Sequence, residues 1–362
     1  MKINFKQLQK EEFKACIQEL GWESYRADQI IDWMYRKHAV SFDAMSNLPK
    51  QLSATLKDIA ILSELKLLNT YISMDGAIKF LFQLDDGDTI ESVAIPNTRG
   101  KNMYTLCISS QAGCAMGCTF CETGKLGLIR NLKAYEIIDQ VLAVQRYLKQ
   151  SSSDMLTDSV KRNFRIGKGD ISNIVFMGMG EPFSNMNEVL TSLFILTDLI
   201  GISKRKITVS TSGIVPGIEK LSEKGPAVNL AISLNATTDS TRTRLMPINK
   251  TYPIKKLLQA CRAYPLPPKR RITIEYVLLK DINDSRDDAH RLVKLLRGIR
   301  SKINLIPFNH SESYPEFVRP DERRVQDFQN ILVNAGVIAT VRKSSGDDIS
   351  AACGQLRAAY VR

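Results

Sequence analysis

Apolar residues recur every three to four positions through residues 8–19 and again through 24–37, where Ile30, Ile31, Trp33 and Met34 form much of one stripe. That spacing predicts two amphipathic helices. Pro49 follows MSNL and precedes a further helical stretch, so residues 1–60 read as a small helical domain. The period then shortens. LLNTYISM, AIKFLFQL and TIESVAIP, separated by DG and DDGD turns across about residues 68–94, read as short strands. They predict a β-hairpin or small sheet, within residues 61–100, that links the helical part to the main body.

Beyond residue 100 strand-like runs alternate with helical ones. YTLCIS (104–109) precedes a helix over 133–149, and NIVFMG (173–178) precedes NMNEVLTSLFILTDL. ITVST (207–211), VNLAISL (228–234), ITIEYVLL (272–279) and KINLIPF (302–308) are each followed by an amphipathic segment, the last of them near 323–335. Strands alternating with helices of this length predict βα units around a parallel sheet. Six strong strands, with VIATVR (337–342) a possible seventh, favour an α/β fold built as an open or partial (β/α)6 barrel over residues 101–345. Residues 151–170 read as an inserted or mobile segment, and 346–362 as a separate C-terminal segment.

Composition adds little to the fold and something to the partner. At 44% hydrophobic and 24% charged the chain has the make-up of an ordinary globular protein. No apolar run approaches membrane-spanning length, and the first residues lack the pattern of a signal peptide; no membrane association and a cytoplasmic, reducing location are expected. The net charge of +12 is uneven: residues 1–100 carry −2 and the remainder +14. An excess confined to one part suggests an anionic partner there.

The candidate chemistry is concentrated in CAMGCTFC, which places Cys114, Cys118 and Cys121 in one loop after a strand. Seven cysteines in a long chain expected to be reduced make a disulfide scaffold improbable. Cys16 and Cys261 lie in amphipathic helices and read as core packing. A structural zinc site wants four protein ligands in two separated pairs, and neither a second CxxC nor a histidine pair is near, the three histidines being His38, His290 and His310. Soft thiolates suit an iron–sulfur cluster. Three of them bind three irons of a [4Fe–4S] cube and leave the fourth iron open for chemistry.

Cx3Cx2C after the first strand of a partial barrel resembles the signature of the radical S-adenosylmethionine (SAM) enzymes. Nearer still is the likeness to the RlmN and Cfr families of adenine methylases, carried by TLCISSQAGCAMGCTFC (105–121), GLIRNL (127–132), MGMGEP (177–182), STSG (210–213), LMPIN (245–249), INLIPFN (303–309) and GDDISAACGQL (346–356). CAMGC and the proline of GMGEP resemble the RlmN side. The resemblance implies a TIM-like partial barrel and a [4Fe–4S] cluster on Cys114, Cys118 and Cys121. It also implies two SAM molecules per turnover and methylation at C2 of adenosine 2503 in 23S rRNA and adenosine 37 in tRNAs. A Cfr-like C8 methylase is the alternative within that resemblance. A non-catalytic RNA-binding protein with a structural cluster is the alternative outside it.

The same resemblance implies roles for single residues. Cys353 receives a methyl group from one SAM; a radical derived from the second SAM takes a hydrogen from that methyl, which then adds to the adenine. Cys107 assists deprotonation and resolves the protein–RNA adduct through a transient disulfide, and Glu91 helps proton transfer near the base. Gly180, Glu181, Ser210, Ser233, Leu234, Asn235 and Asn309, at predicted strand ends, are assigned to SAM. Asn235 departs from the SLH usual in relatives; it hydrogen-bonds but cannot titrate. Further expectations are an electron donor such as flavodoxin or ferredoxin, a monomeric state, and phosphate contacts from KRNFRIGKG (161–169), SKRK (203–206), Lys269 to Arg271 and RGIRSK (297–302). Access to a base edge requires an unpaired or extruded adenine.

Overall fold

The computed structural model describes residues 2–97, 103–150, 169–310 and 313–357. The segment expected to be inserted, 151–170, lies outside the described residues except for its last two, as does nearly all of KRNFRIGKG.

At the N-terminus, strand β1 (Ile3–Asn4) pairs in parallel with β2 (Ala60–Ile61). The two ends of the helical segment therefore meet. Between them run helices Lys10–Glu19, Tyr25–Tyr35 and Lys50–Ile59. The first opens with a capping box between Gln9 and Glu12, which satisfies backbone donors the helix cannot. Phe13, Ile17, Ile30, Met34, Leu52 and Leu56 are buried and continuous with the main core. Trp33 only half joins that stripe, because its indole N–H turns outward to Asn47 Oδ1.

Strands β3 (Lys66–Ile72), β4 (Ile78–Gln83) and β5 (Thr89–Pro96) form an antiparallel meander, and β5 pairs antiparallel with β6 (Met103–Cys107). The expected linker is thus an extension of the main sheet. Strands β7 (Gln111–Gly113) and β8 (Leu128–Asn131) form a separate antiparallel pair flanking the cysteine loop. Then come β9 (Asp170–Phe176), β10 (Ile207–Thr211), β11 (Asn229–Ser233), β12 (Ile272–Leu278), β13 (Ser301–Pro307) and β14 (Ala339–Val341). One ten-stranded sheet runs β14-β13-β12-β11-β10-β9-β6-β5-β4-β3.

From β6 to β14 all neighbours are parallel. VIATVR supplies β14, so the partial barrel gains a short seventh strand beyond the six expected. The helices Ala134–Gln150, Met186–Phe194, Val215–Lys224, Ile254–Ala263, Arg286–Leu295 and Glu322–Asn334 connect the strands. Coverage by helices explains why β12 is buried along almost its whole length and β13 along its last five residues, polar Thr273, Glu275 and Asn304 included. A helix over Asp239–Leu245 was not anticipated, since TRTRL shows no apolar stripe.

Candidate active site

Parallel strands place all their C-terminal ends on one edge, where the loops of such barrels build sites. Here those ends surround a cavity of about 260 Å³. Its wall includes Cys114, Cys118, Cys121, Gly180, Glu181, Ser210, Ser233, Asn235, Asn309 and Cys353. Ten of the thirteen residues singled out from the sequence therefore share one space.

The cysteine loop is shaped by close backbone approach. Gly113 has φ +72°, and a Cβ there would stand 2.0 Å from the Gly127 carbonyl oxygen, so only glycine fits. Cys114 N–H donates to that same carbonyl at 2.7 Å. Cys121 leads into the short helix Glu122–Lys125, and its carbonyl accepts the Tyr314 hydroxyl at 3.0 Å. Burial raises the Cys114 thiol to about 12, and burial also lifts Cys118 and Cys121. Opposing this, the backbone N–H of Met116 faces the Cys114 sulfur, and those of Thr123 and Gly124 face Cys121.

That donor set fits a cluster. Sulfurs with backbone N–H donors are what Fe–S ligation uses. Among the described residues no three His, Cys, Asp or Glu side chains converge on one point as a single ion would require. A cube presents separate irons to separate thiolates, so its ligands need not converge.

Glu181 ends the β9 loop, and its carboxylate accepts the backbone N–H of Phe183 at 3.0 Å and of Ser212 at 2.6 Å. Burial nevertheless holds its pKa above the usual carboxylate range. Gly180 has φ +96°, and a Cβ would meet the Gln111 side chain at 2.5 Å. Asn235 is also left-handed, with φ 55°. Its Oδ1 accepts the Val277 N–H at 2.8 Å, and its Nδ2 faces Met246 Sδ at 3.3 Å. Both ends of that amide are thus committed to the protein itself. Asn309 Nδ2 donates to the Cys353 carbonyl at 3.3 Å.

Cys353 is exposed, but into this cavity; protein surrounds the thiol, and burial pushes it up to about 12, with Glu275 and Cys121 adding repulsion. Cys107, at the end of β6, lies behind the wall. Burial, with repulsion from nearby Cys353, pushes its thiol up to about 12.

Two other residues from the sequence reading stand off the wall. Leu234 is a core side chain whose backbone donates to the Glu275 carbonyl and accepts Arg242 Nε. Glu91 is buried in β5, with Oε1 3.2 Å from Lys79 Nζ and Oε2 accepting the Arg357 backbone N–H at 2.9 Å.

Sequence reasoning passed over Arg242 and Glu275. The Arg242 side chain is fully buried and donates to the carbonyls of Ser212 (2.6 Å), Ser233 (3.2 Å) and Leu234 (3.1 Å) and to Asn249 Oδ1 (3.0 Å). It ties the ends of β10 and β11 together. Nothing local in TRTRL marks it. Glu275 is a buried carboxylate on the cavity wall, held by Asn304 Nδ2 at 2.9 Å. Its signal was available: a charged residue inside the apolar run ITIEYVLL.

The basic segments expected to meet RNA phosphates stand away from the cavity. Lys204–Lys206 immediately precedes β10, Arg271 precedes β12, and Ser301 and Lys302 begin β13. Residues before parallel strands lie at the opposite rim from the cavity. Arg342 and Lys343, after β14, are the cations on the cavity wall.

Two family descriptions match the chain: the ribosomal RNA large subunit methyltransferase N-terminal domain over residues 3–62 and the radical SAM superfamily over 108–293. The chain is 48% identical to the dual-specificity RNA methyltransferase RlmN of Syntrophotalea carbinolica, over 98% of this chain and 90% of that protein. It is 47% identical to the RlmN of Geobacter sulfurreducens, over 98% and 92%. A radical SAM methyltransferase from Sphaerobacter thermophilus superposes with a TM-score of 0.88 at 42% identity, covering 99% of this chain and all of that one. This chain belongs to the radical SAM superfamily and, within it, to the RlmN family of methyltransferases.

Proposed function

We propose that the chain methylates C2 of adenine in 23S rRNA, at adenosine 2503, and in tRNA, at adenosine 37. The observation that carries this reading is that Cys353 stands on the same cavity wall as Cys114, Cys118 and Cys121, with Cys107 close behind it. A cluster that only stabilised an RNA-binding fold would need neither extra thiol.

In this family a [4Fe–4S] cluster and SAM, used twice per turnover, supply a methyl group and then a carbon radical, chemistry that no side chain provides. Cys114, Cys118 and Cys121 hold three irons. Gly180, Glu181, Ser210, Ser233 and Asn309 bind and orient SAM; Asn235, its amide held by Val277 and Met246, shapes the wall, and Leu234, its backbone held by Glu275 and Arg242, fixes the strand end behind it. Cys353 carries the methyl group. Its raised pKa keeps Sγ protonated at neutral pH, so methyl transfer requires a group to accept that proton.

Cys107 removes the proton from the adenine carbon; its thiolate then attacks Cys353 Sγ, the S–S bond forming as the bond from that sulfur to the methylene breaks, and the carbon keeps that electron pair and takes up a proton to become methyl. Adenine C2 is too poor a nucleophile for simple displacement, which is why the methyl group travels on a protein sulfur first. Glu91 contributes to proton transfer once the Arg357 backbone leaves its carboxylate. The basic main domain draws RNA in by charge, and the nearly neutral helical domain reads its shape. A monomer in the cytoplasm, reduced by a flavodoxin or ferredoxin, completes the reading.

The test is anaerobic incubation of the reconstituted chain with an rRNA fragment and methyl-labelled SAM, mapping label on nucleoside and peptide. Label in 2-methyladenosine and on the Cys353 peptide is expected. Only 8-methyladenosine would reassign the chain to Cfr-like chemistry. Cluster formation without SAM cleavage or RNA labelling would leave an RNA-binding module.

A further inference from the structure

The loop that carries Cys353 is held on both sides by different parts of the fold. After Cys353 it leans on the cysteine loop: Glu122 N–H donates to the Gly354 carbonyl at 2.8 Å, and Thr123 Oγ1 donates to the Leu356 carbonyl at 2.6 Å. Before Cys353 its partners come from the antiparallel extension. Asp348 Oδ1 accepts the Ser73 hydroxyl at 2.5 Å, and Oδ2 accepts the Met74 N–H at 3.0 Å. Asp75 Oδ2 accepts the Gly346 N–H at 3.1 Å, and Lys79 Nζ donates to the Ser350 carbonyl at 3.3 Å.

The loop conformation itself is unusual. Gly346 and Ser350 are both left-handed, at φ 75° and 51°, and they bracket the turn Asp347–Ile349. A Cβ on Gly346 would stand 2.8 Å from the Ala351 Cβ and 3.4 Å from the Ala77 Cβ. A non-glycine residue at φ 51° costs energy and persists only where surrounding contacts hold it. Those contacts are the β3–β4 turn and the start of β4.

We infer that the antiparallel extension is a positioning device for Cys353, with Asp348 its principal residue and Ser73 its main side-chain donor. The inference rests on the reading that Cys353 carries the methyl group. It gives the β3–β4 part of the extension a role in the reaction beside that of Glu91 on β5. Asp348 touches neither SAM site nor cluster ligand; it sets where the Cys353 sulfur stands relative to both. Two hydrogen bonds to one carboxylate are enough to matter: losing the stronger of such charged bonds shifts an equilibrium about tenfold.

The test uses the full chain with its cluster reconstituted, as wild type, Asp348→Ala, Asp348→Asn and Ser73→Ala. Alkylation of each cysteine by iodoacetamide is followed by peptide mass spectrometry. The ratio of 5′-deoxyadenosine to methylated adenosine is measured in parallel. In Asp348→Ala, Cys353 should be alkylated about tenfold faster while Cys261 is unchanged. The 5′-deoxyadenosine ratio should rise by a similar factor at an unchanged rate of SAM cleavage, because the methyl carrier is misplaced and the radical source is not. Asp348→Asn, which keeps one acceptor oxygen, should fall between.

Wild-type alkylation of Cys353 in Asp348→Ala would overturn the inference. So would SAM cleavage and methylation falling together, the mark of a merely structural role. Should Asp348→Ala not fold, Ser73→Ala decides by the same two measurements. A wild-type chain that methylates no adenosine would defeat the proposed function, and the alkylation comparison would still decide this inference.

Discussion

The carboxylate of Glu181 accepts the backbone N–H of Ser212 at 2.6 Å, so the loops after β9 and β10 meet at one buried side chain. Glu181→Gln replaces one acceptor oxygen with an NH2 that faces a backbone donor. SAM should bind about tenfold or more weakly, the worth of one charged hydrogen bond. Calorimetric titration of SAM measures this, and an unchanged affinity would remove Glu181 from the site.

Replacing Cys114, Cys118 or Cys121 with alanine takes away one of three thiolates. Iron content after anaerobic reconstitution should fall from about four per chain, and reductive SAM cleavage should drop to background. Cleavage at the normal rate in any of the three would refute the cluster assignment.

Cys353→Ala should keep reductive SAM cleavage yet give neither labelled peptide nor methylated adenosine. Cys107→Ala should instead accumulate protein covalently joined to RNA, visible as a slower band on a denaturing gel. If both variants lose only the same step, the two thiols do not have separate roles.

Lys6 Nζ lies 2.6 Å from Asp139 Oδ1, each side chain 1% exposed, and the pair joins the N-terminal segment to helix Ala134–Gln150. Lys6→Met strands a buried carboxylate and should cost about 3–5 kcal/mol. Lys6→Met with Asp139→Leu should recover most of that. Denaturant midpoints test it; a single-variant loss under about 1 kcal/mol would mean the pair is dispensable.

Burial in the core pushes the Cys261 thiol up to about 12 from 9.0. The folded state therefore holds this proton more tightly than the unfolded chain does. The associated stability is fully present below the unfolded pKa and is lost as pH rises between 9 and about 12. The stability gap between wild type and Cys261→Ala should shift against wild type across that window. A constant gap would contradict the burial argument.

Much of the site was legible before the fold was known, because cluster chemistry needs several thiolates within one short loop and local sequence can supply that. Gly180, Ser210, Ser233 and Asn309 are assigned to SAM by the family resemblance, and a physical rule agrees: they stand at or just past C-terminal strand ends, and parallel strands end on one edge. Applied in reverse, the same rule puts SKRK and RGIRSK at the other rim, because they precede strands.

Periodicity alone settled the helical start, the strand–helix alternation and the separation of core cysteines from the Cx3Cx2C loop, since each depends on neighbours within a few residues. Only the tertiary structure decided the rest. Arg242 reaches carbonyls on two different strand ends, Glu91 answers a tail residue far along the chain, and the extension grips the loop of Cys353. Contacts of that kind are set by how the sheet folds back on itself, and no local pattern of apolar and polar positions records which distant groups will meet.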